Sequence, residues 1–392
     1  MRILHVIPQF PYFGGRTVVG GHASCLLALA LAQGARGDKV TILTYVHGRA
    51  GTIPVAENVE AVSLFENATP GTVGFGIAFL RACASWAKAR RGEFDALHGH
   101  SGFADYITVT SRLRRVLRMR CVHTLYCPIA GDRGRWATAP FKMVIRRAAR
   151  RVDVMTAMSE NVRSSIEAYG LGEAMVVTPG IDLERFHPGP TSLREELGIG
   201  AEETIFLFVG NATKQKNLHG VLEAFGRVYA SHPETRLVIT TELKQSSSDE
   251  RLEALRCQME ALGIADAIVQ LGIVDNMAEL VRACDVLVAP FMDSIGPSDY
   301  FMAVLEAMAS GKPTIVSRVG GMPEVIDDSV GRLVDPADSS QIAGAMDELA
   351  GDAALRHSMG TAARALAEAR FDPTRAADRY ADIYASISGA GR

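Results

Sequence analysis

Short apolar runs alternate with helical patterns along most of the chain. RILHVI, KVTILTYV, VEAVSLF, FDALHGH, RMRCVHTL, VDVMTAMS and AMVVTPG read as buried strands, and HASCLLALALAQGA reads as a helix between the first two. Strands that alternate with helices predict a parallel sheet covered on both faces. The stretch HPGPTSLREELGIGAEET, with Pro188, Gly189 and Pro190, interrupts the pattern and reads as a linker. A second series then begins, with strands TIFLFVG, TRLVITT, AIVQLG, DVLVAP and KPTIVS. Helical LHGVLEAFGRVYASH and DERLEALRCQMEALG fall among them, and FDPTRAADRYADIYASI closes the chain as an amphipathic helix. The predicted fold class is α/β, with two Rossmann-like doubly wound parallel-sheet domains facing a cleft. Ligands of open α/β sheets bind outside the carboxyl ends of the strands, so the site is expected there.

One helix in the second series carries a chemical oddity. In PSDYFMAVLEAMASGKP (residues 297–313), Phe301, Val304, Leu305 and Met308 recur at i, i+3, i+4 and i+7. Ser298 after Pro297 is the expected N-cap, and Gly311 with Pro313 ends the helix. Asp299 and Glu306 lie seven residues apart, close to two turns. They are therefore expected on one helical face, about 10 Å apart along the axis, the span of a small sugar.

The 392 residues exceed one ordinary core and fit two domains. Hydrophobic residues at 48%, charged residues at 22% and a net charge of −3 fit a soluble globular chain. The six cysteines form no C-x-x-C pair, so neither a zinc site nor a disulfide framework is indicated, and a reducing cytosol is the expected compartment. No apolar run approaches a membrane span, and the apolar start is too short for a signal-peptide core. From Arg81 to Arg151 there are 16 Lys and Arg against 4 Asp and Glu. That local excess is either a set of solvated helix faces or a surface for anionic lipid or a phosphorylated acceptor. Aromatic residues are not interleaved with it, which argues against nucleic acid. His98 and His100 in LHGH raise the question of a metal, but two histidines without a third ligand favour a structural role. Neither half carries G-x-G-x-x-G at a strand–helix turn or a Walker sequence, so the usual marks of NAD and ATP sites are missing.

VTPGIDLERFHPG, LFVGNATKQKNLHGVLEAF, VLEAMASGKPTIVSRVGGMPEVI and GRLVDP occur in that order. With GGHASCLLALALAQGARGDKVTIL, they make the chain resemble the retaining GT-B glycosyltransferases of family four over nearly its whole length. The resemblance implies an acceptor-binding domain over residues 1–187, with the C-terminal helix (373–392) crossing back to it. It implies a nucleotide-sugar-binding domain over residues 188–372.

Glu306 matches the family's second glutamate, whose carboxylate can accept from two adjacent ribose hydroxyls. Asp299 stands one residue after the usual first glutamate, a position held here by Ser298. Two roles stay open for it: a contact to donor-sugar hydroxyls, or a helix-start acid favoured by the macrodipole. Tyr300 and Phe301 replace the usual Phe-Gly, and the first-turn backbone up to Met302 would face the pyrophosphate. Lys216 matches the lysine that holds the diphosphate and offsets the charge that develops on the departing nucleotide. Asn211 replaces the family's arginine and removes a bidentate fork, with Lys214 as a partial substitute. Gly20 and Gly21 would let backbone approach the ligand. Ile273, in LGIV, would border the base. His123 matches the cleft histidine and either bonds a sugar hydroxyl or is satisfied within the fold. In the family, the region of Gly320, Gly321 and Glu324 lies beside the donor cleft, and Glu324 is either a ligand contact or a structural helix-start residue.

The expected activity is therefore retaining transfer of a hexose from a nucleotide-diphosphate donor, UDP-sugar first and GDP-mannose next. The acceptor is a hydroxyl of a lipid-linked, phosphorylated or natural-product molecule. No metal and no cofactor beyond the nucleotide-sugar co-substrate is expected. The expected location is cytoplasmic, peripheral on the inner face of the membrane. The alternatives are a non-catalytic nucleotide-sugar-binding module, motivated by Asn211, Ser298 and Phe301, and a nucleotide-sugar isomerase or hydrolase.

Overall fold

The structure is a computed structural model. It describes residues 1–14, 17–18, 20–129, 138–240, 248–272, 274–295 and 298–389. The chain divides into two compact units. One comprises Met1–Ile181, Ser294–Tyr300 and Phe371–Arg392, and the other Asp182–Asp293 and Phe301–Arg370. The division falls six residues before the expected Pro188. The short stretch Ser294–Tyr300 joins the first unit, which its position inside the second series did not announce.

The first unit runs β1 (Arg2–Val6), β2 (Tyr12–Gly14), β3 (Thr17–Val18), α1 (Gly21–Ala35), β4 (Lys39–Thr44), β5 (Gly51–Ala56), β6 (Val59–Ser63) and α2 (Val73–Lys88). It continues with β7 (Ala96–Ser101), α3 (Ile107–Leu117), β8 (Cys121–Leu125), α4 (Ala139–Ala149), β9 (Val154–Ala157), α5 (Glu160–Tyr169) and β10 (Ala174–Val176). Eight strands form one sheet in the order β10-β9-β8-β7-β1-β4-β6-β5. All neighbours are parallel except the edge pair β5–β6. The central strands are buried on both sides because helices cover both faces. Leu4, Leu43, Leu97 and Val109 join a core with Phe75, Phe79 and Leu113 of α2 and α3. Ile3, Leu29 and Val122 join the opposite core.

The second unit runs α6 (Leu193–Glu196), β11 (Thr204–Val209), α7 (Leu218–Ser231), β12 (Thr235–Thr240), α8 (Ser248–Ala261), β13 (Ile268–Leu271) and α9 (Met277–Ala283). Then come β14 (Val286–Ala289), α10 (Met302–Ala309), β15 (Thr314–Ser317), β16 (Gly331–Val334), α11 (Ser339–Gly351) and α12 (Ala353–Arg370). Its six strands are parallel, in the order β13-β12-β11-β14-β15-β16. The order reverses between β11 and β14, which makes the carboxyl ends of these two strands the switch point where open sheets bind ligands.

The last helix, α13 (Pro373–Gly389), belongs to the first unit and packs along α1. Pro373 suits its first position. Ala376, Ala377, Tyr380, Ile383 and Tyr384 form a buried stripe at helical spacing, in one cluster with Leu29 of α1 and Val122 of β8.

The structure changes one local expectation. The helix expected to be capped by Ser298 starts three residues later than expected, with Phe301 as its N-cap and no side-chain capping bond. Residues 298–300 are held by other contacts. The Asp299 N–H donates to the Tyr126 carbonyl at 2.8 Å, and the Ser298 hydroxyl donates to the Tyr300 carbonyl at 2.7 Å. These bonds outweigh local helix propensity. Asp299 and Glu306 therefore do not share a helical face.

Candidate functional site

The second unit brings Lys216 to its switch point. The chain leaves β11 at Gly210 and makes a 3₁₀ turn over Lys214–Lys216. That turn is fastened to the segment after β14. The Met292 N–H donates to the Gln215 carbonyl at 2.8 Å, and Gln215 Nε2 donates to Asp293 Oδ1 at 2.7 Å. Asn217 sits in the left-handed region at φ 57°, and its Nδ2 donates to the Pro290 and Pro336 carbonyls at 3.1 and 2.7 Å. The loop is thus tied to the segments that follow β14 and β16.

Lys216 is half-buried, with its ammonium 3.6 Å from the centre of the Phe291 ring. Among the described residues it forms no ion pair. Burial lowers its pKa to about 8, with the nearby Asp293 charge acting in the opposite direction. Holding the cation there costs about 3 kcal/mol relative to water, which a bound anion would offset. Phe291 in turn packs on Phe301 with ring centres 4.5 Å apart, and Phe301 caps α10. Two contacts thus link Lys216 to the start of α10. The uncapped first turn of α10 adds a partial positive end.

Glu306 lies on the second turn of α10 among buried Val304, Leu305, Ala307 and Met308. Its carboxylate makes no hydrogen bond among the described residues. Burial raises its pKa to about 7, and the positive charge of Arg185 works against that rise. A half-buried acid without donors is the arrangement of a ligand-binding carboxylate, since structural ones are almost always satisfied. Arg185, in the quoted VTPGIDLERFHPG, and Phe291, just past the end of DVLVAP, are two contributors that motif reading passed over. The signal for Phe291 was its place beyond a switch-point strand.

The other expected donor residues fall as follows. Asn211 and Lys214 are exposed, and the Thr213 hydroxyl donates to Asn211 Oδ1 at 2.7 Å. Met302 begins α10 with its side chain buried, as is that of Phe301, so these two positions can offer a ligand only backbone. Ile273 lies outside the described residues.

Ser298, Asp299 and Tyr300 belong to the first unit. Tyr300 is fully buried, edge-on to Phe371 with ring centres 6.1 Å apart. Asp299 is 0% exposed. Its Oδ2 accepts from the Ser159 hydroxyl at 2.5 Å and its Oδ1 from Asn161 Nδ2 at 2.8 Å. Both oxygens are occupied by protein donors rather than turned to a sugar.

Gly20 is the N-cap of α1 at φ 103°, a conformation that suits glycine alone, with open space where a Cβ would stand; Gly21 begins the helix. His123 lies on the α3 face of the sheet. Its Nδ1 pairs with the Thr110 hydroxyl at 2.8 Å and its Nε2 with the Ser101 hydroxyl at 3.0 Å. Burial lowers its pKa to about 3, so the ring is neutral and both nitrogens are used within the fold. The packing is tight. A Cβ on Gly99 would stand 1.8 Å from Thr110 Oγ1 and 2.6 Å from His123 Nδ1.

The histidines of LHGH gain a third neighbour that spacing could not show. His5 of β1 pairs in register with His98 of β7. The ligand atoms of His5, His98 and His100 lie within 4.8 Å of one another, all buried. Every ring nitrogen of the three is already bonded. His5 Nε2 meets Gln33 Oε1 at 2.7 Å, so it carries the proton, and Nδ1 accepts from His100 Nε2 at 2.8 Å. His100 Nδ1 then accepts from the Tyr126 hydroxyl at 2.9 Å. His98 bonds Tyr384 of α13 at 2.7 Å and Thr124 at 2.7 Å. Thr124 also meets Tyr380 of α13 at 2.9 Å. Burial lowers the pKa of His5 to about 4 and holds His98 and His100 well below the usual value. This is a satisfied, neutral layer that docks α13.

Comparison with known proteins agrees with this layout. The model for Glycosyltransferase Family 4 matches residues 19–185, and that for Glycosyl transferases group 1 matches residues 191–366. The D-inositol 3-phosphate glycosyltransferase of Streptomyces avermitilis is 30% identical over 326 residues, covering 79% of this chain and 68% of that protein. The protein of the same name in Geodermatophilus obscurus is 31% identical over 278 residues, covering 66% of this chain and 60% of that protein. Among solved structures, sucrose-phosphate synthase from Thermosynechococcus elongatus superposes with a TM-score of 0.83 at 20% identity, covering the whole of both chains. Anabaena HepE in complex with UDP and glucose does so with a TM-score of 0.76 at 18% identity, over 99% of this chain and 100% of that one. The chain belongs to the GT-B glycosyltransferases of the family 4 type.

Proposed function

We propose that this chain is a retaining glycosyltransferase that moves a hexose from a nucleotide-diphosphate donor, UDP-sugar in first place and GDP-mannose next, to an acceptor hydroxyl. The observation that carries this reading is the pair Lys216 and Glu306. Both are desolvated, neither side chain forms an ion pair or hydrogen bond among the described residues, and both stand on the second unit. Lys216 lies at that unit's switch point and Glu306 on α10. Glu306 accepts from the ribose diol. Lys216 and the first turn of α10 hold the diphosphate and stabilise the charge on its departure. A diphosphate is already a good leaving group, so alignment and charge stabilisation supply the catalysis, with no strong general acid. A leaving phosphate oxygen takes the acceptor proton on the retained face. The reaction needs no metal. The UDP and glucose held by Anabaena HepE favour a UDP-sugar. The relatives named for D-inositol 3-phosphate favour a phosphorylated acceptor, received by the first unit.

The basic surface of the first unit supports contact with an anionic membrane. On α4, Met143 and Val144 are 67% and 52% exposed, beside Lys142, Arg147 and Arg150. Apolar side chains flanked by cations suit an interfacial helix. No helix among the described residues is long and apolar enough to cross a membrane. Cosedimentation should increase with anionic lipid and fall with salt; indifference to both would remove this part of the reading.

A thermal-shift series with UDP, GDP, ADP and dTDP tests the donor. A UDP concentration of 100 Kd should add about 2.7 kcal/mol of stability. No shift with any of them would overturn the reading. Proton NMR of the product from a UDP-α-sugar should show an α-glycoside, and a β-glycoside would exclude retention.

A further inference from the structure

Asp299 is a fully buried carboxylate that the donor site does not use, and its surroundings explain what it does. Three features of the first unit converge on it. The Tyr126 carbonyl, just past β8, accepts its N–H at 2.8 Å. The Ser159 hydroxyl, just past β9, donates to one carboxylate oxygen at 2.5 Å while accepting from the Val162 N–H at 3.0 Å as the N-cap of α5. Asn161, in the first turn of α5, donates to the other oxygen at 2.8 Å. The start of a ten-residue helix therefore faces the charge, which suits it. On either side, Ser298 is tied to the Tyr300 carbonyl and the Tyr300 ring is packed on Phe371. The next residue, Phe301, caps α10.

We infer that Asp299 is a positioning residue: with Ser159 and Asn161 it pins the stretch that enters α10, and so sets the start of the helix that carries Glu306. It does not touch the donor sugar. This rests on the donor reading above, but only in its consequence for ligand. The pinning itself is a property of the ligand-free chain.

Two readouts on Asp299→Ala, Asp299→Asn and Asn161→Ala decide it. Amide hydrogen exchange without ligand follows the first turn of α10. Asp299→Ala and Asn161→Ala should speed exchange there on the order of tenfold, and Asp299→Asn, which keeps the shape and one acceptor, should do so less. Calorimetry then compares UDP with UDP-glucose. Pinning predicts that both ligands weaken by the same factor in each variant. Unchanged exchange in Asp299→Ala and Asn161→Ala would overturn the inference. So would loss of UDP-glucose binding with UDP binding intact, which is the mark of direct sugar contact. If the wild-type protein binds neither nucleotide, the donor reading fails, and the exchange arm still decides whether Asp299 governs the start of α10.

Discussion

Both units bury titratable side chains, and they treat them in opposite ways. In the first unit, His5, His98, His100 and His123 have every ring nitrogen paired. In the second, Lys216 and Glu306 are desolvated, with neither an ion pair nor a side-chain hydrogen bond among the described residues. A satisfied polar layer fixes one packing arrangement and resists substitution. An unsatisfied pair stores an electrostatic cost that a ligand of matching charge relieves. The contrast separates residues satisfied within the fold from those that, on the proposed reading, bind substrate, although both kinds show perturbed pKa values.

The largest expected effect comes from acid. An ordinary histidine titrates near 6.5, whereas burial holds His5 at about 4 and His123 at about 3, with His98 and His100 also lowered. Below pH 6.5 the unfolded chain takes up protons that the folded chain cannot. Stability is therefore complete above 6.5 and falls toward pH 4, by about 1.4 kcal/mol per pH unit for a histidine that stays neutral in the fold. Denaturant midpoints from pH 7 to 5 check this, and a flat profile would mean that the layer is not neutral.

Next in size is ligand affinity against pH. On the proposed reading, Glu306 is ionised when it accepts from the ribose, and Lys216 is charged when it holds phosphate. With values of about 7 and about 8, affinity for UDP should fall below pH 7 and above pH 8, by about tenfold per unit on each limb. Glu306→Gln should lose the acid limb and keep the alkaline one. Smaller still is Tyr384→Phe. Removing the hydroxyl that bonds His98 should cost about 1–3 kcal/mol of stability and leave UDP affinity unchanged. A change in affinity would blur the division between the two regions. Lys214→Ala should weaken UDP only a few-fold, because Lys214 is exposed.

How far the sequence anticipated this follows from the range of each interaction. Most strands of the two sheets were legible because burial on both faces leaves continuous apolar runs, but β16 was not read as a strand. Nor was the edge strand β5, since GTIPVA has alternating exposure and a proline. Lys216 and Glu306 were legible from motif resemblance, but their lack of partners was not, because it depends on what surrounds them in space. His5 lies 93 residues from His98, and only the parallel pairing of β1 with β7 joins them. Asp299 was misplaced on a helix face for the same reason: its partners Ser159 and Asn161 lie 140 and 138 residues away, and local periodicity carries no trace of them.

The most direct test of the account is calorimetric titration of UDP into the wild-type protein, Lys216→Ala and Glu306→Gln at pH 7.5. The account predicts tight binding to the wild type, with Kd raised on the order of 100-fold in each variant and their folding intact. Equal affinity in all three proteins would contradict it.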